Sequence, residues 1–192
     1  EYEKGLSVFF SHGAKKRYVG QVVYPSDEML IRGYETQRTD SFAYLTKTMK
    51  ELFTFALADQ EAELVKCALD RVKALKNNEV DPTELILAKS CKGTVRKDGS
   101  VDFSKAYANP DSMAQVRVAK ARIDLGLGFT SGMKVSYVVT DASRSPMKVE
   151  PWLESEEDGG ISEYDGKFYA ERLAAALGLS LIHISEPTRR YR

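Results

Sequence analysis

Histidine and cysteine are scarce in this chain, with two of each among 192 residues. His12 and His183 are too few for a histidine-built metal site or a His-based catalytic triad. Cys67 and Cys91 lie far apart, and neither has a Cys or His at metal-ligand spacing. That pattern reads as reduced, partly buried thiols in a cytosolic protein. Long apolar runs are missing too. The uninterrupted ones are only a few residues, so none is long enough for a membrane helix. Glu1 to Lys4 lack a starting Met and the basic-then-apolar order of a signal peptide, so the N-terminus reads as cut. No stretch forms a nucleotide cradle, a nucleophile elbow or a carboxylate pair at catalytic spacing. Gly126, Gly128 and Gly132 imitate a Gly-rich loop, but they follow a helical pattern instead of a strand. There is no internal repeat.

What is present is an ordinary globular composition, 43% hydrophobic and 29% charged, long enough for one domain or one plus part of another. Basic and acidic residues number 28 each. Setting aside residues 179–192 removes three Arg and one Glu and leaves a net charge of −2. Total charge therefore argues mildly against nucleic-acid binding, but its distribution matters more. Lys15, Lys16 and Arg17 are contiguous, and Arg32 and Arg38 follow. Lys89, Lys92, Arg96 and Lys97 form a second cluster, while Glu154, Glu156, Glu157 and Asp158 gather the acids elsewhere.

Residues 6–10, 17–24 and 29–35 are rich in β-branched and aromatic side chains, and the turn signal at 25–28 makes a hairpin of the last two. Near Asp40 the period changes from 2 to 3.6. Asp40-Ser41 is the expected N-cap of a helix whose stripe is Phe42, Leu45, Met49, Leu52, Phe53 and Ala56. Asp59-Gln60 breaks it. A second helix over 61–76 carries Leu64, Ala68, Val72 and Leu75 and stops at Asn77-Asn78, making an antiparallel pair. Asp81 to Glu84 form a turn, and residues 92–100 read as a polar loop. Residues 112–125 read as a helix with Met113, Val116, Ala119 and Ile123 inward. A strand follows at 134–140, an extended stretch at 146–152 and an amphipathic helix at 168–177. The resulting expectation is an α+β fold: a β-rich segment to about residue 36, a helix pair over 41–76 and a small α/β tip over 85–152.

The strongest local feature is Lys15-Lys16-Arg17-Tyr18 at a strand entrance, where like charges repel. A solvated strand end accounts for it. So does an edge that neutralises phosphates while Tyr18 packs on a sugar or base. Alternation puts Lys16 and Tyr18 on one face, expected to meet the nucleic acid, and Lys15 and Arg17 on the other.

These residues carry a resemblance. AKKRYVG at 14–20 followed by IRGYETQRTD at 31–40 resembles the end of the palm in archaeal family B DNA polymerases. There a KKRY-type motif precedes a hairpin and a G-x-E-x-x-R-x-D motif that leads into the thumb. Tyr107-x-x-Pro110, SGMKVSYVV at 131–139, PMKVEPW at 146–152 and FYAERLAAAL at 168–177 resemble thumb elements in consistent order. The resemblance implies a β-hairpin remnant of the palm at 1–36 and a mainly helical thumb at 37–178. Lys15, Lys16, Arg17, Tyr18, Arg32, Arg38 and Lys89 are then the candidate DNA contacts, and Glu35 and Asp40 hold the arginines in place. The implied partners are primer–template duplex and the rest of a polymerase chain. The parent enzyme holds magnesium on palm carboxylates, but its Y-G-D-T-D motif is not in this sequence. The fragment alone is therefore expected to have no catalytic residue, metal or other cofactor of its own. A small α/β interaction module without a nucleic-acid role is the alternative.

After Gly178 the helical pattern breaks, and SLIHIS at 180–185 alternates as a strand would. LSLIHISEPTR at 179–189 resembles, residue for residue, the translation of a transposon-based sequencing adapter. Residues 179–192 are accordingly expected to be a non-native tail that buries little. A helix running on, solvent-exposed, into that tail is compatible with this reading.

Overall fold

The computed structural model describes residues 5–11, 18–24, 28–34, 41–153, 161 and 163–181. It contains helices and small antiparallel sheets, the α+β mixture expected of a palm remnant and a thumb. Contacts divide it into two compact units. One runs to Ala74 and resumes at Ala170; the other is Leu75–Tyr169.

In the first unit, β1 (Gly5–Ser11), β2 (Tyr18–Tyr24) and β3 (Glu28–Arg32) form an antiparallel sheet in that order. Val19 opposes Ile31 across the β2–β3 ladder and both are buried. β3 ends earlier than the 29–35 run suggests. Gly33 takes a positive φ of 75°, open to glycine without strain. Tyr34 then buries against Phe53 with ring centroids 4.9 Å apart. Glu35 lies outside the described residues.

Helix α1 (Ala43–Leu57) buries Leu45, Met49, Leu52 and Phe53 on the expected stripe, each contributing about 1.5–3 kcal/mol of apolar burial. Tyr44 and Thr48 are buried beside them, while Ala56 is only half-buried. The expected Asp40-Ser41 cap is not what starts this helix. Phe42 is the N-cap, extended and without a side-chain cap bond. Its ring is fully buried, so aromatic burial sets the helix entry. Ser41 Oγ instead lies 3.4 Å from Thr46 Oγ1. Helix α2 (Glu61–Lys76) buries Leu64, Ala68 and Leu75, with Val72 half-buried. Asp59 and Asn78 both adopt left-handed φ, 59° and 55°. These short polar residues tolerate that region, which is why they end α1 and α2 where the sequence places the stops. The Tyr44 hydroxyl donates to the Arg71 carbonyl at 3.2 Å, tying the start of α1 to the end of α2 as an antiparallel pair requires.

In the second unit, Pro82–Leu85 form a 3-10 turn whose Asp81 cap accepts the Thr83 N–H at 2.8 Å. Strands β4 (Leu87–Ser90), β7 (Lys134–Asp141) and β8 (Lys148–Pro151) make an antiparallel sheet in the order β4-β7-β8. Residues 92–100 are not simply a loop. They hold β5 (Thr94–Val95) and the turn of a hairpin to β6 (Val101–Asp102). Two-residue strands are too short for periodicity to reveal. Gly99 (φ 83°) makes the turn, and Asp98 accepts from the Ser100 N–H and hydroxyl.

Helix α3 (Ala114–Asp124) packs on β7 and β8. Val116 and Ala119 are buried as expected and Ile123 is half-buried. Met113 is not inward: it is the N-cap, after a 3-10 turn at Pro110–Ser112, and remains exposed. Val118 is buried instead. Arg117 and Arg122 donate to the Met147 and Trp152 carbonyls at 2.6 and 3.3 Å, clamping both ends of β8 to the helix.

Helix α4 (Gly166–Leu181) crosses from one unit to the other. Asp165 starts it, accepting the Phe168 N–H at 3.0 Å through one carboxylate oxygen and the Ala142 N–H at 2.8 Å through the other. Asp165→Ala is expected to cost about 1–2 kcal/mol, read as a lower thermal midpoint, since it removes an N-cap. The strand-like alternation expected from Ser180 does not begin there, because α4 runs through Gly178 to Leu181. One glycine costs a helix only about 1 kcal/mol, and extending an existing helix is easy. Residues 182–192 lie outside the described residues.

Candidate nucleic-acid interface

The sequence-predicted contacts divide in three. Tyr18 and Arg32 are brought together, directly opposite each other at one end of the β2–β3 ladder. Opposed residues share a sheet face, and there Arg32 is exposed and Tyr18 half-buried. Lys15, Lys16, Arg17, Glu35, Arg38 and Asp40 lie outside the described residues, and so does the alternation assigned to 15–17. Lys89 belongs to the other unit, exposed on β4 opposite Val135.

The first unit has a lysine-lined feature that motif reading misses. A shallow depression of about 500 Å³ at the start of α1 is lined by Ser41, Phe42, Ala43, Thr46, Lys47 and Lys50. Both lysines are exposed, and the first turn of α1 contains no acid. The positive end of the helix dipole and the exposed Lys50 act with the same sign there. Arg71 has a different role. It pairs with Glu51 at 2.8 Å and stacks 5.8 Å over the Tyr44 ring. Burial works against its charge, but bonds to Tyr44 and Glu51 outweigh that and hold it firmly protonated. Cys67 sits beside this pair, its thiol pushed up by burial and by Glu51 against the pull of Arg71.

In the second unit the cations fall into braced and unbraced sets. Arg96 pairs with Asp102 at 3.0 Å, Lys120 with Asp111 at 2.6 Å, Arg144 with Asp141 at 2.8 Å and Lys148 with Glu150 at 2.8 Å. The Ser104 hydroxyl and N–H, then Arg96, hold Asp102 down to about 2. Lys89, Lys92 and Lys134 are exposed and have no ion pair among the described residues. The turn between β4 and β5 is rigidly supported. The Lys92 N–H donates to the Tyr107 hydroxyl at 3.0 Å and the Gly93 N–H to Ser131 Oγ at 3.2 Å. Tyr107, noted in the sequence only for its place in a Y-x-x-P pattern, is thus a brace for that turn.

Among the described residues no three His, Cys, Asp or Glu side chains gather as a metal site, and no helix is long and apolar enough to cross a membrane. The arrangement offers exposed cations on two sheets and at a helix start, suited to polyanion contact.

Neither a protein-family model nor a curated protein matches the chain. Among solved structures, the family B DNA polymerase from the hyperthermophilic archaeon Pyrobaculum calidifontis is similar to it, with a TM-score of 0.62 and 20% identity. The likeness covers 100% of this chain and 23% of that one. At this identity what is shared is the fold, that of a segment of a polymerase.

Proposed function

We propose that the chain is the end of the palm and the thumb of a family B DNA polymerase, and that it grips primer–template duplex through phosphate and minor-groove contacts. One observation carries this reading. A chain whose motifs resemble palm end and thumb in order has, over its whole length, the fold of a polymerase segment. A polymerase must hold any sequence. Phosphates and minor-groove acceptors suit that task because they are largely shared among base pairs. Tyr18 and Arg32 are the described part of the grip at the palm end, and Lys15, Lys16 and Arg17, which precede them in sequence, are its further candidates. Lys50, exposed in the depression at the start of α1, is a further candidate for phosphate contact.

The parent enzyme's magnesium would supply Lewis-acid stabilisation of phosphoryl transfer. This chain's residues do not fit that site, since the Y-G-D-T-D motif is absent from the sequence and no carboxylate cluster forms among the described residues. The chain's own work is binding. The purified chain is expected to bind unrelated duplex sequences with affinities equal within about threefold, and to add no nucleotide to a primer with magnesium present. Strong preference for one sequence, or any template-dependent incorporation, would contradict this reading.

A further inference from the structure

We infer that the outer face of α2 is a docking seam for an acidic amphipathic helix of a second protein. This goes beyond the duplex grip and does not depend on it. Helix α2 carries two apolar stripes. Leu64, Ala68 and Leu75 turn inward and are buried. Ala62, Val65, Leu69 and Val72 make the other, at successive spacings of three, four and three residues. That alternation is the a/d seam of a coiled coil. On it Leu69 is 66% exposed and Val65 48%, with Ala62 exposed and Val72 half-buried. A seam with its central leucine in water gains most when a second apolar surface covers it.

Spacing and charge identify the occupant. A helix presents its side chains at this same period, whereas a strand repeats every two residues and falls out of step. With Val65 and Val72 at d, Lys66 and Lys73 take the two e positions, and both are exposed. On the opposite flank Ala68 is buried. The open flank of the seam is therefore basic. Asp70 lies between the two lysines in sequence, at a b position farther round the helix. A second copy of α2 fits poorly. Antiparallel copies set e against e, so Lys66 and Lys73 would meet their own kind. Parallel copies would pair Lys66 with Glu61, but would set Lys73 against the buried Ala68 flank and Lys76, the next seam position, against itself. A helix whose apolar seam is flanked by glutamates answers both lysines.

The test uses the full 192-residue chain and a labelled, end-capped peptide of about three heptads, with Leu at a and d and Glu at e and g. A control peptide carries Lys in place of every Glu. By anisotropy the Glu-flanked peptide is expected to bind with a Kd on the order of 10 µM, and the Lys-flanked one about tenfold more weakly. Leu69→Lys is expected to weaken the Glu-flanked peptide by about tenfold or more. The K66E/K73E variant is expected to reverse the preference between the peptides. All three positions are exposed, so unchanged thermal midpoints confirm that the variants fold. No saturable binding up to about 500 µM peptide, binding that Leu69→Lys leaves intact, or equal affinity for both peptides would overturn the inference. So would sedimentation showing a wild-type dimer that Leu69→Lys disperses, because the occupant would then be a second copy. Duplex binding is titrated separately and stands or falls by itself.

Discussion

Gly166→Ala is expected to destabilise the protein by about 3 kcal/mol, which at this chain length lowers the thermal midpoint by about 6–12 °C. Gly166 is the first residue of α4. A Cβ added there would overlap the Leu75 carbonyl oxygen and the Asn78 side-chain oxygen. Neither neighbour can retreat cheaply. The Leu75 carbonyl accepts the Asn78 N–H at 3.1 Å, and Asn78 is in the left-handed conformation that ends α2. One methyl group therefore presses on the C-terminal cap of another helix. Gly128→Ala is the control, because a Cβ there meets nothing within 4 Å. Its expected change is within about 0.5 kcal/mol. Equal midpoints for the two variants would mean that the close approach of Gly166 to the end of α2 is not real.

Tyr169→Ala is expected to cost about 3–5 kcal/mol, a buried aromatic deleted with its cavity left behind. The Tyr169 ring is fully buried and meets Tyr164 edge-on, centroids 6.0 Å apart. Its hydroxyl accepts the N–H of Val139 in the middle of β7 at 2.9 Å. Tyr169→Phe keeps the ring and strands that N–H, an expected loss of about 1–3 kcal/mol. The difference between the two variants separates packing from hydrogen bonding. Amide exchange at Val139 should quicken in both. Slow exchange in Tyr169→Phe would show that the hydroxyl does not serve this amide.

The helices were legible because each is long enough for 3.6 periodicity to repeat. Their stops were legible because Asp59 and Asn78 are residue types that tolerate left-handed backbone. The β5–β6 hairpin was not, since two-residue strands leave no period. Met113 looked apolar and in phase, but the chain enters α3 only after it, so it caps the helix from outside. Gly178 looked like a stop, yet nothing opposes the helix there and α4 continues. Gly166 gave no signal, because its constraint is a neighbour distant in sequence. The candidate site shows the same division. The Tyr18 and Arg32 motifs stand out locally and face each other across one ladder. The position of Lys134 opposite Ser90, and the pairing of Arg96 with Asp102, depend on strand register and an ion pair, which residue spacing does not encode.

The most direct measurement is the salt dependence of duplex affinity of the unmodified chain. Fluorescence anisotropy with a labelled primer–template would be followed from about 50 to 200 mM KCl, a range over which several phosphate contacts change affinity by orders of magnitude. A DNA grip requires binding at low salt with a log–log slope of about −3 or steeper, the same for unrelated sequences. Absence of binding at low salt, or a slope near zero, would contradict it and leave a small α/β interaction module whose lysines serve only to keep it in solution.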